Sequence, residues 1–309
     1  MRTGLLLVLA ISGCSSSMVA PPEPKNPDAP NVLLISLDTL RRDHLASYGY
    51  PKDTAPTLTR ISEQGAQFDH AYSMAPATDG SHATLFTGRY MSEHGKFSHM
   101  QRLARSELTI AEHFKDNGYR TFGFASSVKF IKKSGFGQGF DQYARNSGKK
   151  NRRSRWVVNQ MINEVAKPGG PWFGFLHLFD PHAPYAPPRL WRALWHPLSR
   201  LIHPAKTTTF LRKKRRKRGS ATERQVKLLN GLYDGEVSFM DMHMAQILAV
   251  AKADKTRDTL IVITADHGEA LNEHGYLGHD RFLYEEIMQV PLLFWWPNKI
   301  PAGTRIDTP

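Results

Sequence analysis

Two stretches, "NVLLISLD" at 31–38 and "DTLIVITAD" at 258–266, constrain this chain more than anything else in it. Each is a continuous apolar run closed by a carboxylate, the pattern of a strand buried on both faces. Such strands need helices above and below them, and the sequence supplies candidates. "APTLTRISEQG" (55–65), "SHATLFTG" (81–88) and "SELTIAEHFKDNG" (106–118) read as short helices ending at glycine, the third with Leu108, Ala111 and Phe114 on one face. "YRTFGFAS" (119–126), "PWFGFLHLF" (171–179) and "QVPLLFWWP" (289–297) read as further strands, with the last of them closing the series. Residues 222–253 form one long helical segment or two. The alternation predicts an α/β fold, with a mainly parallel central sheet flanked by helices on both faces.

In such a sheet, functional groups gather beyond the carboxyl ends of the strands. Asp38 follows the first strand there, His177, Asp180 and His182 end the middle one, and Asp266 and His267 follow the late one. Acids and imidazoles arriving at one edge from distant segments suit a divalent metal. A separate stretch, "PATDGSHATLFTGR" (76–89), places Thr78 at the start of a helix. Taken alone, Thr78 is either a helix cap or a nucleophile.

The blocks "NVLLISLDTLRRDHLASYGY", "TAPTLTRISEQGAQFDHAYS", "SHATLFTGRYMSEHG", "HLFDPHAPYAPP", "LYDGEVSFMDMHMAQIL" and "ITADHGEALNEHGYLGHDRFLYEEIMQVPLLFWWP" resemble, in order and spacing, the sulfatase family of the alkaline phosphatase superfamily. The match runs from about Asn31 to Pro297. The resemblance implies a divalent metal (Ca, Mn or Zn) held by Asp38, Asp266, His267 and the oxygen of Thr78. It makes Thr78 the nucleophile and sets His182 and His279 against the transferring group or leaving oxygen. His279 stands where many sulfatases place a lysine. A second ion at Asp180 and His182 stays open, while His177, His94 and His274 read as supporting or structural residues.

The physical case supports these roles. A metal-bound threonine hydroxyl can ionise and attack phosphorus or sulfur. A helix N-terminus and His279 would neutralise the developing charge, and His182 could protonate the leaving alkoxide.

The departures from the family matter equally. Sulfatases proper carry Cys or Ser in a Cys/Ser-x-Pro-Ser-Arg motif, oxidised to formylglycine; here Thr78-Asp79-Gly80-Ser81-His82 stands instead. Threonine would give a ketone. Thr39 replaces the second acid of the first-strand pair, and "FGFASSVKF" occupies the place of a Gly-Lys-Trp-His-Leu block. Threonine-nucleophile relatives act as phosphodiesterases, phosphomonoesterases, or transferases of phosphoethanolamine or phosphoglycerol. The expected activity is therefore hydrolysis of an anionic ester, phosphate in preference to sulfate. Headgroup transfer and a catalytically inactive envelope-binding lipoprotein are the alternatives. Relatives usually continue with a further helix and a small C-terminal subdomain, and with "NKIPAGTRIDTP" so soon after the last strand that part is expected to be short or missing.

The first residues, "MRTGLLLVLAISGCSSS", read as an export signal in 1–14 whose Ile11-Ser12-Gly13-Cys14 resembles a bacterial lipobox. Cys14, the sole cysteine, would be the lipidated residue. Residues 15–30 read as a Pro-rich tether to the catalytic region at 31–309. No aspartate follows Cys14, which favours the outer membrane and places the protein on the periplasmic side of the cell envelope.

The basic character is local. Eleven Lys and Arg and no acid fall in 189–218, so this segment accounts for all but two charges of the formal +13. The basic insertion at 189–219, with Trp191, Trp195, Leu198 and Leu201, reads as a solvated loop or as a patch held against anionic lipid. Export excludes nucleic acid as a partner.

Overall fold

The computed structural model describes residues 25–26, 28–127, 129–130, 132–146, 154–197, 202–203, 206–209, 213, 221–254 and 257–308. Cys14, the export signal, most of the tether and the run at 214–218 lie outside the described residues.

Eight strands form one sheet. They are β1 (Asn31–Leu37), β2 (Ala66–Phe68), β3 (Arg120–Ala125), β4 (Gln142–Arg145), β5 (Trp172–Leu178), β6 (Thr259–Thr264), β9 (Leu292–Trp295) and β10 (Thr304–Ile306), ordered β10-β2-β9-β6-β1-β5-β3-β4. A two-stranded hairpin, β7 (Ala270–Leu271) and β8 (Leu277–Gly278), stands apart from it. β1 pairs in parallel with β5 and β6, so Ser36 lies level with both His177 and Thr264. That register brings the carboxyl ends of the three strands to one edge.

The side chains of β1 alternate between the two layers. Leu33, Ile35 and Leu37 join a core with α1 (Pro56–Gln64), α5 (Ser154–Val165) and α7 (Glu223–Ala253). Val32 and Leu34 face the other way, onto Ala83 and Phe86 of α2 (Thr78–Thr87) and Ala111 of α4 (Ile110–Asp116). Both faces of the sheet are thus covered, which is why β1 is a run of apolar residues broken only by the hydrogen-bonded Asn31 and Ser36.

Several expectations change. The segment 222–253 is a single helix, started by a Thr222–Gln225 capping box. Capping by Thr109 starts α4 only at Ile110, and Leu108, outside it, is half exposed rather than on its buried face. β9 is not the last strand: β10 follows it and pairs in parallel with β2. β9 itself runs antiparallel to β6 and β2, within an otherwise parallel sheet.

The start of the basic insertion is docked. Helix α6 (Arg189–Trp195) lies on α7, where Trp195 Nε1 donates to Ser238 Oγ at 2.8 Å and the Trp191 ring meets Phe239 edge-on. Gly235 permits this approach, since a Cβ there would come within 2.8 Å of Pro187. The two tryptophans therefore serve intramolecular packing, leaving Leu190 and Leu194 as the exposed apolar groups of α6. No helix among the described residues is long and apolar enough to cross a membrane.

The loop after β1 is tied to α7 through one buried carboxylate. Asp234 meets His44 Nδ1 at 2.7 Å and Lys52 Nζ at 2.8 Å, and accepts from the Tyr50 hydroxyl at 3.0 Å. Burial alone would raise its pKa, but His44 and Lys52 outweigh burial and hold it below the usual value. A depressed folded pKa means stability that is present above the unfolded value, near 3.9, and lost as pH falls through the folded one. We expect Asp234→Ala to cost about 3 kcal/mol in urea unfolding at pH 7. The gap to wild type should narrow below about pH 4.

Candidate active site

Helix α2 begins at Thr78, with Ala77 as its cap residue and no side-chain capping bond. The Thr78 hydroxyl is thus not spent on capping. It points across the sheet edge, with Oγ1 3.5 Å from His267 Nε2. Ser81 N donates to Ala77 O, the first bond of the helix, so the N–H groups of Thr78, Asp79 and Gly80 precede the intrahelical ladder.

Opposite Thr78 lie two buried carboxylates. Asp266 Oδ1 accepts from the backbone N–H of Thr39 (3.1 Å) and of His267 (2.9 Å), while Oδ2 accepts no hydrogen bond among the described residues. Both oxygens of Asp38 are likewise without a hydrogen bond, although the side chain is fully buried. Burial and the neighbouring Asp266 raise the Asp38 carboxyl well above its ordinary value. Asp266 is held down to about 2, because burial is outweighed by His267, His82 and His177.

The surrounding residues fix these groups. Ser81 and Ser73 hydroxyls both donate to the backbone oxygen of Asp266. His82 donates through Nδ1 to Thr78 O at 2.8 Å and accepts from Ser36 Oγ at 2.9 Å. Thr39, where relatives carry a second acid, adopts φ +59°, a costly left-handed conformation for a β-branched residue. The Asp266 contact to its N–H helps to hold it there.

His267 Nδ1 faces Gly268 O at 2.8 Å. A carbonyl can only accept, so Nδ1 carries the proton and the Nε2 lone pair faces Thr78 and Asp266. Asp38, Asp266 and His267 offer donor atoms within 4.8 Å of one another. Orphaned, buried, mutually repelling oxygens beside an imidazole lone pair fit a divalent cation.

His279 Nδ1 lies 3.0 Å from Glu269 Oε1, and its ring is 4.4 Å from that of His267. Burial opposes its charge, but Glu269, Asp280 and Asp38 lift its pKa to about 9. His279 is therefore an imidazolium at neutral pH. Asp280 N donates to Pro76 O at 2.9 Å, which ties its loop to the turn before Thr78. His182 stacks on Phe179 with its ring 5.1 Å from that of His279, and its Nδ1 bonds Ala183 O.

Asp38, Thr78, Asp266, His267, His182 and His279 thus converge as the sequence suggested. Asp180 instead uses Oδ2 to accept from Ser154 at the start of α5 (2.9 Å to N), and no metal-ligating group among the described residues combines it with His182. His94 bonds Thr84 Oγ1, and His274 stacks on Tyr284. Sequence reasoning missed Glu269, three residues after Asp266, whose role shows only once His279 is folded beside it. It also missed Lys96, fully buried 3.1 Å from Asp79, and Lys129, 3.4 Å from the same carboxylate. These two lysines keep cations beside α2 where the family's usual block is absent.

A mainly parallel α/β sheet with this acid, imidazole and hydroxyl set at its carboxyl edge defines a hydrolase of alkaline phosphatase type. The family model for Sulfatase matches residues 30–309, and the chain belongs to the sulfatase family. An arylsulfatase of Clostridium perfringens is 21% identical over 89% of the chain and 70% of its own length. An N-acetylglucosamine-6-O-sulfatase of Bacteroides thetaiotaomicron is 22% identical over 96% of the chain and 68% of its own length. Alignments with such curated relatives span 60–70% of the relatives' length. Among solved structures, the phosphonate monoester hydrolase of Agrobacterium radiobacter superposes with TM-score 0.72 at 19% identity, covering 90% of this chain and 70% of that one. The periplasmic domain of phosphoethanolamine transferase EptC from Campylobacter jejuni gives 0.68 at 16%, covering 87% and 80%. At these identities the structural likeness establishes the fold.

In metal-free protein, a raised folded pKa at Asp38 means that folding takes up a proton there. Its contribution is full below the unfolded value, near 3.9, and is lost as pH rises above it. Metal-free Asp38→Asn should therefore exceed metal-free wild type in stability at pH 8, by about 1 kcal/mol in urea unfolding. Adding Mn or Zn should reverse the order.

Proposed function

We propose that the chain hydrolyses phosphate esters through Thr78. One observation carries this reading: the Thr78 hydroxyl, unused for capping, faces His267 Nε2 beside oxygens of Asp38 and Asp266 that accept no hydrogen bond among the described residues. A divalent cation held by Asp38, Asp266, His267 and the Thr78 oxygen would supply the Lewis acidity that lowers the hydroxyl's pKa. One imidazole among oxygen donors favours Zn or Mn over Ca.

Thr78 Oγ, its proton already released to bulk water, attacks phosphorus as the alkoxide, and the bond to the leaving oxygen breaks. The N–H groups at the start of α2 and the His279 imidazolium stabilise the charge on the non-bridging oxygens. His182, whose Nδ1 is engaged by Ala183 O, delivers a proton to the leaving alkoxide from Nε2. Water then displaces phosphate from Thr78, with His182 taking the water's proton. The lack of a cysteine or serine at position 78 removes the formylglycine route and supports phosphorus over sulfur. Export with lipidation of Cys14 would place this activity at the bacterial envelope.

Assays with an aryl phosphate, a phosphodiester and an aryl sulfate, with Mn, Zn or Ca, test the reading. Phosphate esters should turn over and Thr78→Ala should lose at least roughly 10³-fold in kcat/KM. Retained turnover in Thr78→Ala, or turnover of sulfate alone, would contradict it. Release to water in preference to transfer onto an added glycan or lipid acceptor separates hydrolase from transferase. His279→Gln should lose about 10²-fold while His279→Lys recovers part, because the site needs a cation there.

A further inference from the structure

On the face of the sheet covered by α2 and α4, a cavity of about 470 Å³ opens between the 102–105 segment and the glycine-rich turn 134–139, "SGFGQG". That is the size of a small-ligand site. The two segments approach closely. Leu103 N donates to Ser134 O at 2.9 Å, and a Cβ on Gly135, at φ +86°, would come within 2.6 Å of Leu103 O. Arg102, Arg105, Gly137 and Tyr143 stand at the cavity wall.

The charge at this wall is one-sided. Neither Arg102 nor Arg105 makes an ion pair or a side-chain hydrogen bond among the described residues. The acids nearby are committed elsewhere. Glu107 pairs with Arg89 at 2.9 Å, and Asp141 meets Lys115 at 2.6 Å. Glu112, the acid at the wall itself, turns Oε2 to the Thr109 N–H at 2.8 Å as the capping box of α4. Guanidinium forks match the oxygens of a phosphate, and a backbone N–H without a partner adds a further donor. Gly137 supplies one, since its N–H donates to no acceptor among the described residues.

We propose that Arg102, Arg105 and the Gly137 N–H form an anion site, separate from the catalytic centre, that takes a phosphate-type oxyanion. The segment that carries Arg102 also reaches the helix of Thr78. Lys96 Nζ donates to Gln101 O at 2.7 Å and pairs with Asp79 at 3.1 Å. An oxyanion at Arg102 thus lies one residue from the contacts that hold the start of α2. It arrives either as a further phosphate on the ester being cleaved or as free phosphate.

Equilibrium dialysis of the full chain against radiolabelled inorganic phosphate counts bound anions with no turnover. Stripping metal with chelator leaves the carboxylates of the catalytic centre to repel phosphate. Wild type should bind one phosphate that the Arg102→Gln/Arg105→Gln double variant does not, and each single substitution should weaken it roughly tenfold. That phosphate should persist in His279→Gln. Equal binding by wild type and the double variant overturns the proposal, as does a phosphate lost in His279→Gln and kept in the double variant. Both arginines are exposed, and unchanged near-ultraviolet circular dichroism checks that the variants fold. The source follows from kinetics with metal restored. A KM that rises in the double variant for a substrate bearing a second phosphate, and stays constant for an aryl phosphate, assigns the anion to the substrate. A KM constant for both, with the dialysis difference intact, assigns it to free phosphate, and either result upholds the site. Failure of the binding test leaves the reading of Thr78 standing, and an inactive protein that passes it leaves this site standing.

Discussion

Asp38 and Asp266 are carboxylates set side by side where water does not reach, and burial and mutual repulsion together raise the first well above its ordinary value. A protein of ordinary stability tolerates this only if much of the surrounding structure is committed to it. The parallel register of β1 with β5 and β6 delivers the two acids to one level. Backbone N–H groups of Thr39 and His267 fix one oxygen of Asp266, and two serine hydroxyls fix its peptide. The oxygens left over are the ones that a divalent cation would complete.

The same electrostatic demand explains the neighbours. Burial pushes the imidazoles of His82 and His177 down to about 4. Further cations are held by carboxylates nearby, His279 by Glu269 and Lys96 and Lys129 by Asp79. Thr78 stands between these regions, at the start of a helix whose N–H groups face the same space. The proposed role of Thr78 rests on that position, and the strained Thr39 backbone marks where this chain departs from a two-acid strand end.

Much of this was legible in the sequence. The runs at 31–38 and 258–266 announce doubly buried strands because their interiors are almost wholly apolar. Strand ends in a parallel sheet bring Asp38, Asp266 and His267 to one edge, whereas the roles given to Thr78, His182 and His279 came from the resemblance to the sulfatase family. The three-residue strands β2 and β10 carried no periodicity to read, and they form only by pairing at the sheet edge. Leu108 was misplaced because the Thr109 cap outranks the apolar spacing. The docking of Trp191 and Trp195 depends on Gly231 and Gly235 of α7, which admit the segment, and a local pattern does not encode that. Glu269 and the orientation of His177 depend on contacts between segments distant in the chain, which local pattern does not encode.

The claim on which the rest depends is that Thr78 carries the transferred group. Acid quenching of metal-loaded protein during turnover of an aryl phosphate, with His182→Ala used to slow the second step, allows direct inspection of the peptide spanning 76–89 by mass spectrometry. The account predicts a phosphoryl group on Thr78 that forms and decays at rates compatible with turnover. Sustained turnover with Thr78 unmodified at every quench time would contradict it.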